Sequence, residues 1–540
     1  MGLGASLPES SFPVISKDFG PAQREEILAR LSHEVYDILV IGGGITGAAI
    51  ARDAAHRGLK VLLVEKDDFA SGTSSRSSKL VHGGVRYLEQ YEFKLVFEAT
   101  RERARLWKLA PHLVTPLPFV FPCFQKSRVP LWKLNLGVWL YDILSLFRSP
   151  TIHRRWGKDE TLKNEPQLRS NELVGSIFYW DGATDDARLT LANILDAREG
   201  GADCLSRVNL TQIQFDKSDK HEHLITLQNS LNRAQYFHTK AKVVISSAGP
   251  WTDSLLKNLG HNRPKLLAPT RGSHIVVPFK KLPSKHAVVI FHPKDGRVLF
   301  TIPFGDFTVL GTTDEFDGNS PDSTHITAQE VDYLIAAAKE YFPKAEIKKD
   351  DITSTWAGLR PLLAPPDKAS ASQISREHHI EWIDPALLVI AGGKLTTHRE
   401  MAEQCVDRAL LESQNWNTPL GNSKSSACKT HNRVLPKTLY SPLNSPVESS
   451  VGTSESSRFD KNTLEGILKT QMVLSLEDFM VRRTQIYYKE AQNGLELLPQ
   501  LKSSFLKILL WDESKWNSEV ENYKNYLRKN VWEPLGRSAP

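Results

Sequence analysis

Cysteine is scarce: the four in this 540-residue chain (Cys123, Cys204, Cys405, Cys428) stand far apart and form no CxxC pair. Their scatter argues against a disulfide framework or a zinc knuckle, leaves no metal site to expect, and fits a reducing compartment. No clean apolar run reaches the roughly 18 residues of a bilayer span, so no transmembrane helix is expected. The first 35 residues have neither the basic start nor the apolar core of a secretory signal. Glu9, Asp18, Glu25 and Glu26 also make them too acidic for a mitochondrial transit peptide. A formal charge of +6 is small for this length, and no basic-aromatic repeat accompanies it, so no nucleic-acid partner is expected. Internal repeats are absent, and the length admits about two to four domains.

Against these absences stands one dense stretch, residues 36–69, YDILVIGGGITGAAIARDAAHRGLKVLLVEKDDF. Its order is strand, glycine turn, helix, strand. Gly42, Gly44 and Gly47 form GxGxxG after an apolar run that ends at Ile41. The first glycine permits the tight turn, the second lets backbone approach a pyrophosphate, and the third packs helix on sheet. The helix start then points its free N–H groups at phosphate. Glu65, 18 residues beyond Gly47, is placed to accept the hydroxyls of an adenosine ribose. Ile41, Gly43 and Lys66 flank these positions and join the cofactor-binding set.

Two further apolar runs end in turn chemistry: residues 241–248 before Gly249-Pro250-Trp251, and residues 387–390 before Gly392-Gly393-Lys394. Between them, residues 273–278, 287–291, 298–303 and 308–311 read as antiparallel strands. The expected class is α/β, with α+β character in the substrate domain. It comprises a doubly wound Rossmann-like domain, a β-rich substrate domain and a small helical C-terminal domain. The boundaries expected are an N-terminal extension at 1–35 and a discontinuous cofactor domain at 36–120, 175–260 and 350–412. A substrate or cap domain takes 121–174 and 261–349, a Ser/Pro-rich linker 413–461, and the helical domain 462–540. Residues 22–34 read as a short amphipathic helix. Residues 131–147, LWKLNLGVWLYDILSLF, carry Trp132, Trp139 and Tyr141 among leucines, flanked by Lys126, Arg128, Arg148, Arg154 and Arg155. That composition suits either an interfacial helix on an anionic membrane surface or a helix buried on the protein's own core.

The ordered motifs TSSRSSKLVHGGVRYLEQYEF (73–93), AGPW (248–251), RGSHIVVP (271–278), GTTD (311–314), GLRPL (358–362) and GGKLTTHR (392–399) resemble the FAD-dependent glycerol-3-phosphate dehydrogenase family. The match runs over most of residues 36–410, and LEDFMVRRT (476–484) is similar to that family's helical domain. The resemblance implies a non-covalent FAD, oxidation of sn-glycerol 3-phosphate to dihydroxyacetone phosphate, and electron delivery to membrane quinone. A cytoplasmic protein held peripherally on the inner membrane follows, with a homodimer left open. Calcium control, known for animal mitochondrial members, is not expected, because no DxDxDG-type loop occurs. A soluble oxidase that passes electrons to dioxygen and releases hydrogen peroxide is the alternative reading. A flavin-binding scaffold and an amine or amino-acid oxidase are more distant ones.

Such a substrate needs fixed cations, a base and an open flavin face. Arg86 and Arg360 are the first candidates for the phosphate, because a guanidinium fork meets two oxygens at once. Arg376 and Lys394 follow, and the resemblance supports all four. Lys394 is also placed to stabilise negative charge near flavin N1. His82, before Gly83-Gly84, and His274, on an apolar strand, both suit the base, and the choice stays open. Tyr87 lines the same pocket, and His398 is a weaker candidate. Ser74, Ser75 and Ser78 offer hydroxyls to pyrophosphate and ribityl oxygens. Gly249 permits close approach to the cofactor. Gly393, Leu395 and Thr396 present a helix start to the flavin pyrimidine.

Overall fold

The computed structural model describes residues 12–15, 17–216, 218, 221–364, 377–414, 420–421, 427–438 and 461–538. Two large sheets organise them. In the first, of eight strands, Val35–Ile41 lies between Val61–Val64 and Tyr236–Ser246, all parallel. Asp203–Leu205 and Leu387–Gly392 extend the parallel run on either side. Val61–Val64, most of Val35–Ile41 and Leu387–Gly392, and residues 243–245 are apolar because both faces are covered. Helices Ile45–His56, Asp186–Glu199 and His398–Ser413 pack on one face. The antiparallel strands Val208–Gln214 and His223–Asn229, with helix Pro21–Arg30, build the core of the other. Strand order reverses between Val35–Ile41 and Tyr236–Ser246, and ligands of doubly wound sheets bind outside such a reversal.

The second sheet has ten strands. Thr270–Pro278, Phe307–Gly311, Val298–Phe304 and Ala287–Phe291 pair antiparallel in that spatial order, as the alternating pattern predicts. Helix Ala328–Tyr341 covers them and starts with a Thr327/Glu330 capping box. Residues 80–81, 114–120, 175–184 and 354–360, expected in the cofactor domain, pair within this sheet. Val114–Phe124 pairs along its length with Leu173–Thr184, and Ser354–Arg360 pairs with Thr270–Pro278. The reason is visible in Val114–Phe124. Pro116, Pro118 and Pro122 fall on alternate residues, so they remove donors from one edge of the strand only.

The C-terminal helices, among them Lys461–Thr470, Leu498–Ile508 and Glu513–Leu527, share one hydrophobic core with the second sheet. The N-terminal extension is tied in as well: Phe19 is fully buried, and Val14–Ile15 pairs in parallel with Lys437–Thr438. Within the expected linker, residues 427–438 are likewise anchored. Leu435 is buried, and Arg433 bonds the Asp196 carboxylate at 3.0 Å.

Candidate active site

Both sheets open onto one cavity of about 1750 Å³. Its first arm starts where Val35–Ile41 ends. Gly42 adopts φ +102°, and a Cβ there would lie 2.6 Å from the Ser247 carbonyl oxygen. A Cβ at Gly47 would lie 1.9 Å from the Gly42 carbonyl oxygen, so no side chain is tolerated without moving the helix. The Ser247 hydroxyl donates to the Ile41 carbonyl at 2.8 Å and locks the neighbouring strand to this turn. The Ser74 hydroxyl accepts the Ile45 N–H at 2.9 Å, which satisfies a free donor at the helix start.

Glu65 closes this arm. Its carboxylate accepts the N–H groups of Gly43 at 2.7 Å and Asp67 at 2.8 Å. Lys66 reaches across to Asp322 of the second-sheet region at 2.6 Å and covers the Trp251 ring at 4.5 Å. Gly249, at φ +53°, completes the wall.

The far arm is built from two turns joined back to back. The Thr396 hydroxyl accepts the His82 N–H at 3.1 Å and lies 3.2 Å from the His82 carbonyl oxygen. Gly83 N–H donates to Tyr141 Oη and Asp181 Oδ1, which Arg103 holds from a fully buried position. Gly84 is left-handed at φ +80°, and the Tyr87 ring fills the space where its Cβ would stand. Lys394 Nζ lies 3.7 Å from the centre of that ring, and the Arg86 guanidinium lies 5.9 Å from it. Gly393, at φ +84°, opens the turn before Leu395–Thr397.

The side wall comes from the second sheet. Arg360 donates to Thr312 Oγ1 at 2.6 Å, the Thr313 carbonyl at 3.2 Å and Asp314 Oδ1 at 3.1 Å. Gly272 opposite has no side chain because the guanidinium occupies its Cβ space. His274 lies round the same corner, its ring against Gly311 and stacked on Trp356 at 4.9 Å. Its Nε2 pairs with the Ser78 hydroxyl at 2.8 Å. Burial, with Arg360 and Lys79 nearby, holds this imidazole well below its ordinary value.

Of the residues singled out above, His82, Arg86, Tyr87, His274, Arg360 and Lys394 all border the cavity. Arg376 lies outside the described residues. Ser75 departs from expectation. It is buried away from the cavity, and its carbonyl faces Tyr488 Oη and Lys79 Nζ. His398 is also turned inward, with Nδ1 on the Leu395 carbonyl and burial lowering its pKa to about 4. Asp181 and Arg103, which brace Gly83, carried no sequence signal, because they are 78 residues apart. Thr312 and Asp314 stood inside the GTTD motif, but only the pairing of both Phe307–Gly311 and Ser354–Arg360 with Thr270–Pro278 brings them to Arg360.

The glycine cradle, the carboxylate at its end and a cavity larger than the roughly 300–1,000 Å³ of common ligand sites fit a flavin dinucleotide with a substrate beside it. Burial pushes the Glu65 carboxyl up to about 7. Ribose hydroxyls donate best to the ionised form, so cofactor capture should strengthen as pH rises through that value. Titrating the apo protein by flavin fluorescence should give a dissociation constant up to about tenfold lower near pH 8 than near pH 6. A flat or opposite trend would contradict the assignment of Glu65.

Comparison with known proteins gives the family. The family model for FAD dependent oxidoreductase (DAO) matches residues 37–405. Aerobic glycerol-3-phosphate dehydrogenase of Staphylococcus haemolyticus is 42% identical over 384 residues, covering 71% of this chain and 68% of that protein. The protein of the same name from Staphylococcus aureus is 40% identical over 385 residues, covering 71% and 69%. The glycerol-3-phosphate dehydrogenase of Bacillus halodurans, solved with FAD, superimposes with a TM-score of 0.71 at 28% identity over 95% of this chain and 98% of that one. The L-alpha-glycerophosphate oxidase of Mycoplasma pneumoniae, with FAD bound, shares the fold at TM-score 0.55 and 21% identity, over 73% and 98% of the two chains. A chain with this cradle, this cavity and these relatives is an FAD-dependent oxidoreductase, and it belongs to the glycerol-3-phosphate dehydrogenase family.

Proposed function

We propose that the chain oxidises sn-glycerol 3-phosphate to dihydroxyacetone phosphate and passes the electrons to a membrane quinone. FAD, when bound, supplies the hydride acceptor. The observation that carries the reading is the meeting of Arg86, Arg360 and Lys394 with two histidines on the wall of the cavity that begins at the glycine turn. A phosphate dianion is captured by fixed cations, and Arg360 is already aimed by Thr312 and Asp314. His274 stands next to it, and we assign it the proton of the substrate's C2 hydroxyl. Its Nε2 takes that proton once the hydroxyl replaces Ser78 as partner. Phosphate bound at Arg360 also offsets the positive charge that disfavours imidazolium. Tyr87, packed on Gly84 beneath Lys394, closes the pocket floor against water.

The quinone reading rests on helix Leu131–Leu144. Leu134, Val138 and Tyr141 face the core, while Trp132, Leu136 and Ile143 are 66%, 63% and 52% exposed. Leu146 and Phe147 extend the apolar face, and Lys126, Arg128, Arg148, Arg154 and Arg155 around it are exposed. Monomers rarely leave so continuous an apolar face to water, and cations beside it suit an anionic lipid surface. Lys133, Leu136, Gly137, Trp139, Leu140 and Ile143 also line the cavity, which supports a route for an apolar acceptor from lipid towards bound flavin. No helix among the described residues is long and apolar enough to cross a membrane. Peripheral attachment at the cytoplasmic face of the inner membrane follows from this reading.

Three outcomes test it. Arg360→Ala should raise KM for glycerol 3-phosphate by about 10- to 150-fold, the effect of one charged hydrogen bond; an unchanged KM removes Arg360 from the phosphate site. His274→Asn should lower kcat by about 10²–10⁴-fold. Because its folded pKa is lowered, the imidazole stays a base as pH falls, so the acidic limb of kcat/KM should lie below 6.5. Allowance is needed for the phosphate's own ionisation near about pH 6. A limb at or above 6.5, with His274→Asn active, would give the role to His82. Finally, the holoenzyme should float with anionic vesicles, and Trp132→Glu with Phe147→Glu should abolish flotation while sparing turnover with a soluble dye. Rapid stoichiometric peroxide in air without any quinone would favour the oxidase instead.

A further inference from the structure

Behind the dinucleotide arm, outside the cavity, lies a buried charge cluster that no step above uses. Asp68 is fully buried, three residues after Glu65. Its carboxylate accepts Arg482 Nε at 2.5 Å and two Arg483 nitrogens at 2.9 and 2.7 Å, all from the C-terminal helical region more than 400 residues away. Arg482 also bonds Asp478 at 2.8 Å, and Asp478 bonds Arg207 at 2.7 Å. Arg207 in turn donates its N–H to the Asp67 carbonyl at 2.8 Å. Arg482 and Arg483 thus meet the 65–70 loop at Asp68 and Arg207 meets it at Asp67, with Asp478 and Glu477 as further anionic partners of the guanidinium groups.

That loop shapes the cofactor turn directly. Asp67 N–H donates to Glu65, and Ala70 N–H donates to the Gly43 carbonyl at 3.0 Å. The Phe69 ring lies 2.7 Å from where a Gly43 Cβ would stand, and Phe19 stacks on its other face at 6.0 Å. Asp68 therefore lies between the carboxylate that would take the ribose and the ring that presses the glycine turn.

We propose that Asp68, gripped by Arg482 and Arg483, is a positioning residue for the ADP half of FAD, so that docking of the C-terminal helices and cofactor binding are coupled. Such coupling is reciprocal: what holds the helices in place tightens FAD, and FAD in turn holds the helices. The aspartate touches no cofactor atom itself. It fixes the spacing between Glu65 and Gly43, and a buried carboxylate bonded by two arginines is rigid because any shift exposes uncompensated charge. The inference rests on FAD as cofactor and is independent of the substrate, the base and the electron acceptor proposed above.

The test uses the full chain, stripped of FAD and reloaded. Asp68→Asn and Arg483→Lys should each raise the FAD dissociation constant about tenfold or more, read by flavin fluorescence without turnover. FAD should also slow amide exchange across residues 472–490 in the parent protein, and this protection should shrink in both variants. Glu165→Gln, which breaks a part-buried pair with His286 at the edge of the second sheet, controls for lost stability alone. Should Asp68→Asn fail to fold, Arg483→Lys and Arg482→Lys carry the same readings. Unchanged FAD affinity in variants whose melting temperature falls, or FAD-independent exchange at 472–490 in the parent, would reduce the cluster to a structural tie.

Discussion

Close backbone approach at the dinucleotide turn is the constraint from which the site is built. The Gly47 helix, the Gly42 turn and the Ser247 strand end meet so tightly that one added carbon at Gly47 would overlap the Gly42 carbonyl. With that contact fixed, the helix start, Glu65 and Ser74 hold set distances from one another. The parallel sheet supplies the rigidity, since its strands are buried on both faces by separate cores. Backbone geometry thereby shapes the dinucleotide arm, with the Glu65 carboxylate and Ser74 hydroxyl fixed beside it.

The two sheets divide the work on that basis. The parallel sheet presents turns and a helix start, which carry partial charges fixed by hydrogen bonding. The antiparallel sheet presents a whole charge, Arg360, on one strand and the imidazole of His274 on its neighbour. Each is braced by a second set of groups: Thr312 and Asp314 for Arg360, and Trp356 and Ser78 for His274. Behind the far turn, Arg103 and Asp181 form a buried pair that orients the Gly83 N–H without adding net charge.

Local rules made half of this legible. The GxGxxG turn, the strand before it and the acid after it obey spacing that one segment encodes, and so do the four antiparallel strands from 270 to 311. What escaped was decided by pairing across long separations. Val114–Phe124 carries three prolines, and its place in a sheet is set by Leu173–Thr184 and Ala287–Phe291, both distant in the chain. Ser75 read as a cofactor hydroxyl, and it lies buried off the cavity wall with its carbonyl facing the C-terminal Tyr488. The exposed face of Leu131–Leu144 could not be told from a buried one, because its aromatics are distributed around the helix and only tertiary packing chooses the inward side. Asp68, with partners at 482 and 483, lay wholly beyond sequence reasoning.

The central claim is that one cavity places a phosphorylated polyol against bound flavin under the hold of Arg86, Arg360 and Lys394. Anaerobic titration of the holoenzyme with glycerol 3-phosphate tests it most directly, by following the flavin absorbance band. The account predicts stoichiometric bleaching by glycerol 3-phosphate and none by unphosphorylated glycerol at the same concentration. Persistent yellow colour at saturating glycerol 3-phosphate, or equal bleaching by both polyols, would contradict it.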